Sequence, residues 1–101
     1  MQYQFTERFE YVKTIEFKNS NPLLNVQRIR YFKEEGVTGR FVKKEFRYSF
    51  DSAVWTNWNT LTQGNLSKIR FRDQEKFYLE IKYTRNGIGS GNIQRWYLFY
   101  D

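Results

Sequence analysis

From residue 76 the chain reads Lys76-Phe77-Tyr78-Leu79-Glu80-Ile81-Lys82-Tyr83-Thr84-Arg85. Phe77, Leu79, Ile81 and Tyr83 share one parity, and Tyr78, Glu80, Lys82 and Thr84 the other. Successive side chains of extended backbone point to opposite faces, so this alternation predicts a strand with one face in a core and the other in water.

The same period continues on both sides. Within Arg40–Phe50, Val42, Phe46, Tyr48 and Phe50 share a face that Lys44 interrupts, opposite Phe41, Lys43, Glu45, Arg47 and Ser49. Glu10–Lys18 sets Tyr11, Lys13, Ile15 and Phe17 against Val12, Thr14 and Glu16. Leu66–Arg72 is a short two-sided strand by the same reading, with Ile69 and Phe71 opposing Lys68, Arg70 and Arg72. In Asn92–Tyr100 both parities turn apolar near the end. Asn25–Lys33 is ambiguous, since Asn21-Pro22 offers a helix start; its β-branched and aromatic content assigns it to a strand. Turn signals punctuate these runs at Asn19–Pro22, Glu35–Gly39, Asp51-Ser52, Gln63–Asn65 and Asn86–Asn92, the last read as a hairpin loop rich in glycine.

The fold expected is therefore all-β: a two-sheet antiparallel β-sandwich of about seven strands with no helix beyond about two turns. Residues 1–101 read as a single domain, with 1–9 as an N-terminal strand arm. The expected core is Ile15, Phe17, Phe46, Tyr48, Trp55, Leu61, Ile69, Phe77, Leu79, Ile81, Tyr83, Trp96 and Leu98.

Composition narrows the chemistry. The 101 residues contain neither Cys nor His. Disulfide frameworks, thiolate or imidazole metal sites and Cys–His or Ser–His nucleophile pairs are thereby excluded. Asp51, Asp73, Glu75 and Glu80 are the carboxylates nearest to turns or on the quoted strand, and nothing pairs two of them as a glycosidase requires. No catalytic residue, metal or cofactor is expected. Gly87-Ile88-Gly89-Ser90-Gly91 leads into a strand, whereas a phosphate cradle needs a following helix. No apolar run approaches the ~20 residues that span a bilayer, and the start carries no signal-like segment, so the expectation is a soluble, unexported chain without a membrane partner. The 17 Lys and Arg exceed the 11 Asp and Glu, yet the excess is spread over both halves, which reads as a solvated surface rather than a nucleic-acid arm.

Two stretches carry a family resemblance. Phe77–Gly91 resembles the penultimate strand, hairpin and last-strand entry of fibronectin type III-like sandwiches, an immunoglobulin-like architecture. Tyr48-Ser49-Phe50-Asp51-Ser52-Ala53-Val54-Trp55-Thr56-Asn57-Trp58-Asn59-Thr60-Leu61 resembles a pattern of fibronectin-like modules in bacteriophage tail and baseplate proteins. There an Asp turn leads into two Trp three apart and a Leu packed between the sheets; Ser52 stands where such turns often have Gly. The resemblance implies a non-enzymatic structural module of a phage particle. Its partners would be other virion subunits in a symmetric assembly, with no small-molecule substrate, and its location the virion, assembled in the host cytoplasm.

Three sets of residues compete for a binding role. Spacing of three puts Trp55 and Trp58 on opposite faces of a regular strand, one in the core and one at the surface. With Tyr78 and Tyr97 they form the alternative, a carbohydrate-binding platform. Arg28-Ile29-Arg30-Tyr31 and Arg70-Phe71-Arg72 interleave cations and aromatics as single-stranded nucleic-acid binders do, although alternating strands generate the same texture; such a β-barrel is the less favoured reading. Finally, if Trp96 and Leu98 face inward, Tyr97 and Phe99 stand outward beside Arg95, the composition of a protein interface hot spot. The poorly charged last strand would then need an edge completed by another subunit, or cover from the chain's own arm, Gln2–Phe9.

Overall fold

The computed structural model describes residues 2–6, 14–18, 21–36, 41, 43–84 and 95–101, and of 2–6 and 14–17 the backbone alone. The described strands are β1 (Gln2–Thr6), β2 (Thr14–Lys18), β3 (Leu23–Leu24), β4 (Ile29–Glu35), β5 (Lys43–Ser49), β6 (Asn59–Thr60), β7 (Lys76–Thr84) and β8 (Arg95–Tyr100), with one short helix, α1 (Gln63–Ser67), before β7. They form two antiparallel sheets. The smaller runs β1-β8-β4; the larger runs β2-β7-β5-β6, with β3 also on β7.

β7 has the phase its alternation predicts. Phe77, Leu79, Ile81 and Tyr83 are all buried, and register sets Tyr83, Ile81 and Leu79 opposite Lys44, Phe46 and Tyr48 of β5. From the smaller sheet Trp96, Leu98 and Tyr100 of β8 and Ile29 of β4 complete one contiguous buried cluster. Phe46, Leu61 and Ile69 are buried there as expected, and Tyr48 packs half-buried against it. Leu23, Val26, Ile29, Leu66, Phe71 and Tyr100 belong to the core without having been expected. Ile15 and Phe17 pair with Tyr83 and Ile81, but their side chains lie outside the described residues.

The sheets are also joined by polar groups. The buried Trp96 indole donates to the Tyr83 hydroxyl at 3.0 Å, which donates to Glu34 Oε2 at 2.8 Å. Lys44 Nζ reaches the same oxygen at 3.3 Å. Lys44, the interruption on the core face of β5, thus points inward because Glu34 of the other sheet receives it. Buried Tyr and Trp need such partners for their polar tips. Burial first, then the Glu34 carboxylate, pushes the Tyr83 phenol pKa well above its ordinary value, because both disfavour the phenolate.

Four expectations need correction. The strand expected over Leu66–Arg72 is instead α1 and an irregular return. Thr62 Oγ1 accepts from Asn65 N–H at 3.1 Å, capping the helix, and Leu66 and Ile69 reach the core from one turn. Trp55 is half-buried and outside the core cluster. The segment joining β7 to β8 lies outside the described residues, but the two strands are not ladder partners: β7 pairs with β2, β3 and β5, and β8 with β1 and β4. Among the described residues, then, β7 and β8 lie in different sheets and do not pair as the arms of the expected hairpin would. Lastly, β8 is no edge. It is the middle strand of its sheet, and the N-terminal arm lies beside it as β1, with Tyr3 opposite Leu98 and Phe5 opposite Trp96.

Candidate functional site

The two outer sheet faces both carry aromatic residues, and they differ in what those residues touch. On the smaller sheet β8 presents Arg95, Tyr97 and Phe99 away from the core, since Trp96, Leu98 and Tyr100 occupy the inner parity. Register sets Tyr31 of β4 opposite Phe99, Lys33 opposite Tyr97, and Glu35 opposite Arg95. Tyr31 and Phe99 stack with centroids 4.3 Å apart and planes 13° from parallel. Phe99 and Tyr97 stack along the strand at 6.3 Å. The result is a row of three rings, with Tyr31 still 48% exposed.

Charged groups border both ends of this row. Lys33 Nζ lies 5.6 Å from the Tyr97 ring centroid and 2.7 Å from Glu35 Oε1. The Tyr97 hydroxyl donates to Glu35 Oε2 at 3.4 Å, and Arg95 Nη1 donates to the Tyr97 oxygen at 3.5 Å. At the other end a register shift between Ile29 and Tyr31 inserts Arg30. Arg28 and Arg30 donate their Nε–H groups to one oxygen, Asp101 Oδ2, at 2.7 and 2.8 Å. These hydrogen bonds hold the Asp101 carboxyl below its usual range, and the Lys33 ammonium does the same for Glu35.

The β4 edge beside this face is closed from within the chain. Gln63 Oε1 accepts from Phe32 N–H at 3.2 Å, and its Nε2 donates to the Arg30 carbonyl at 2.6 Å. One carboxamide thus takes the place of a neighbouring strand, a way of blocking an edge without charge.

On the larger sheet the outer face centres on Arg47 of β5, opposite Glu80 of β7. Arg47 Nε and Nη2 both bond Glu80 Oε2, at 2.8 and 2.7 Å, and Glu80 is only 6% exposed. The guanidinium carbon lies 5.1 Å from the Trp55 ring centroid and 4.7 Å from that of Trp58. Lys82 Nζ sits over Trp58 as well, at 4.1 Å. The Trp55 indole donates to the Ser52 carbonyl at 3.2 Å.

Trp55 and Trp58 therefore share one face, contrary to the parity argument. Residues 55–58 belong to no strand, so alternation does not govern them. Asp51 builds the turn that leads there: its Oδ1 accepts from Ser49 Oγ and from Ala53 and Val54 N–H, all at 2.9 Å. The backbone donors hold its carboxyl below the ordinary value. Ser52 adopts φ 63°, the conformation for which glycine is the usual residue.

The sites expected from sequence are distributed as follows. Arg95, Tyr97 and Phe99 share one face, together with Tyr31, which sequence reading placed only in a generic basic-aromatic texture. Trp55 and Trp58 come together, but their rings already have the chain's own cations over them. Tyr78 lies on the same sheet opposite Ser49, bordering a depression with Asp51, Asp73 and Glu75. Tyr97 stands on the other sheet, so it cannot belong to a platform with the tryptophans. Phe71 is buried, so Arg70-Phe71-Arg72 presents no aromatic surface. Among the described residues no group of three or more Asp or Glu is placed to hold a metal ion, and no helix is long and apolar enough to cross a membrane.

No family model, no curated protein and no solved structure matches this chain.

Proposed function

We propose that the chain is a non-enzymatic structural module, of the kind its Tyr48–Leu61 stretch resembles in phage tails and baseplates. It acts through protein–protein packing on the outer face of the smaller sheet, with other virion subunits as its partners. The observation that carries the reading is the Tyr31–Phe99–Tyr97 row, with Tyr31 exposed and Phe99 and Tyr97 half-buried, on a sheet whose middle strand is already paired on both sides. A partner would cover the ring surface that still faces water, most of it on Tyr31, for part of the ~1.5–3 kcal/mol that a large apolar side chain gains on going from exposed to fully buried. Tyr with flanking Arg is typical of such contacts.

The test is the double substitution Tyr97→Thr, Phe99→Thr, which keeps strand propensity. Particles purified from a producing culture should contain the wild-type chain and lose the variant. The isolated variant should melt within about 8 °C of wild type, the scale of lost cross-strand ring pairs. Absence of the wild-type chain from particles would overturn the proposal. So would a variant that leaves the particle only because it unfolds.

A further inference from the structure

We infer that the partner of the smaller sheet's outer face is a different chain, one presenting carboxylates around an aromatic or aliphatic centre, and not a second copy of this one. The inference rests on the interface reading above. Its own basis is the charge around the ring row. Arg28 and Arg30 stand at one end and Lys33 and Arg95 at the other, against two carboxylates, Asp101 and Glu35. The β1 residues in register with Phe99, Tyr97 and Arg95 are Gln2, Gln4 and Thr6, none of them charged. Among the described residues the face is thus net positive with an uncharged centre. A two-fold contact sets a patch against itself, which would bring like charges together as the rings are desolvated, at considerable cost. An acidic rim around an apolar centre is the complement.

Asp101 displays the recognition chemistry. A single carboxylate oxygen takes an Nε donor from both arginines, and each guanidinium has five N–H groups in all. Carboxylates of a partner can therefore add to the pair or replace Asp101 in it. Single-stranded nucleic acid suits the face less well. Tyr31 and Phe99 already cover one face of each other's rings at 4.3 Å, which leaves fewer faces on which bases could stack, and Glu35 holds a negative charge against Tyr97 and Lys33.

The probe is a random copolymer of glutamate and tyrosine, compared with poly-glutamate and oligo-dT by titration calorimetry on the full chain. The copolymer should bind about tenfold tighter than poly-glutamate, and its affinity should fall as salt rises and the rim charges are screened. Arg28→Gln with Arg30→Gln should weaken it about tenfold, and Tyr97→Thr with Phe99→Thr should abolish the preference for tyrosine. Lys43→Gln with Lys68→Gln removes two exposed charges elsewhere and should change binding less than about twofold. An equal loss in that control would mean attraction to any polyanion and overturn the inference. A concentration-dependent dimer in sedimentation, lost in the Thr variant, would overturn it while leaving the interface reading in place. Tighter binding of oligo-dT that also needs Tyr97 and Phe99 would overturn both. Binding of the copolymer indifferent to the Thr variant would reject the face as an interface.

Discussion

The two outer faces of this molecule use similar residues to opposite ends. On the larger sheet Trp55 and Trp58 lie against Arg47 and Lys82, and Arg47 is anchored on the nearly buried Glu80. The face is closed upon itself, and its aromatics fasten the segment after Asp51 onto β5 and β7. On the smaller sheet the rings contact mainly one another, and the charges stand at the ends of the row in exposed pairs. Aromatic residues and cations together do not define a binding site. What matters is how many of the rings have already been given their cations: both indoles have, whereas in the row on the smaller sheet Lys33 lies over Tyr97 alone among the described residues.

The largest effect that could break this contrast is expected at Arg47. Arg47→Met keeps much of the stem's packing but leaves Glu80 buried without its guanidinium and Trp55 without its cation, while Trp58 keeps Lys82 alone. Breaking a buried pair by removing one partner costs ~3 kcal/mol or more. Urea unfolding should show that loss, while Tyr97→Thr with Phe99→Thr costs far less. Equal losses would mean that the smaller sheet's face is structural too.

Next in size is Trp58→Ala. Two cation–π contacts on a half-buried ring should cost ~1–2 kcal/mol. The same argument predicts no quenching of tryptophan fluorescence by oligosaccharides, because the indoles are engaged within the chain. Saturable quenching that Trp58→Ala removes would show the platform to be open.

A third test uses the network that joins the two sheets beneath both faces. The Tyr83 pKa is raised in the folded state, so its contribution to stability is complete below the unfolded value near 10. It is lost progressively above that value, as the unfolded chain ionises there and the folded one does not. Melting temperature should fall steeply above about pH 10, and Tyr83→Phe, though less stable at neutral pH, should fall less steeply. Parallel decline of the two would remove Tyr83 as the alkaline weak point.

Much of this was legible in sequence because it is local. Parity along β7 and β8 assigns the inner and outer faces correctly, although Glu80, on the face expected in water, is buried beneath Arg47. Three things were not local. Tyr31 joins Phe99 only because β4 pairs with β8, and nothing in either segment names the other as partner. Trp55 escapes the parity rule because the Asp51 turn takes it off the strand. The α1 segment hides behind Gly64, which reads as a turn although the helix starts at the Thr62 cap. The departure at Ser52 is also local: the residue is held in the left-handed region, where its N–H bonds Ser49 Oγ at 2.9 Å.

The smallest effect, and the one that sharpens the contrast furthest, concerns Asp101. Its carboxyl is held below its ordinary value, near 3.8, by Arg30 and Arg28. A depressed folded pKa contributes stability that is present above the unfolded value and lost as pH falls through the folded one. The melting-temperature gap between wild type and Asp101→Asn should therefore be widest above about pH 5 and should close on acidification. It should be small throughout, since exposed ion pairs contribute little and are screened by salt. Raising salt at neutral pH should narrow it in the same way. A large gap that persists in acid and in salt would mean that Asp101 holds the sheet together through side-chain hydrogen bonds to Arg28 and Arg30 that an amide does not replace, rather than through charge. In that case Arg28 and Arg30 would be fixed parts of the fold, as Arg47 is on the other sheet, and the difference between the two faces would disappear.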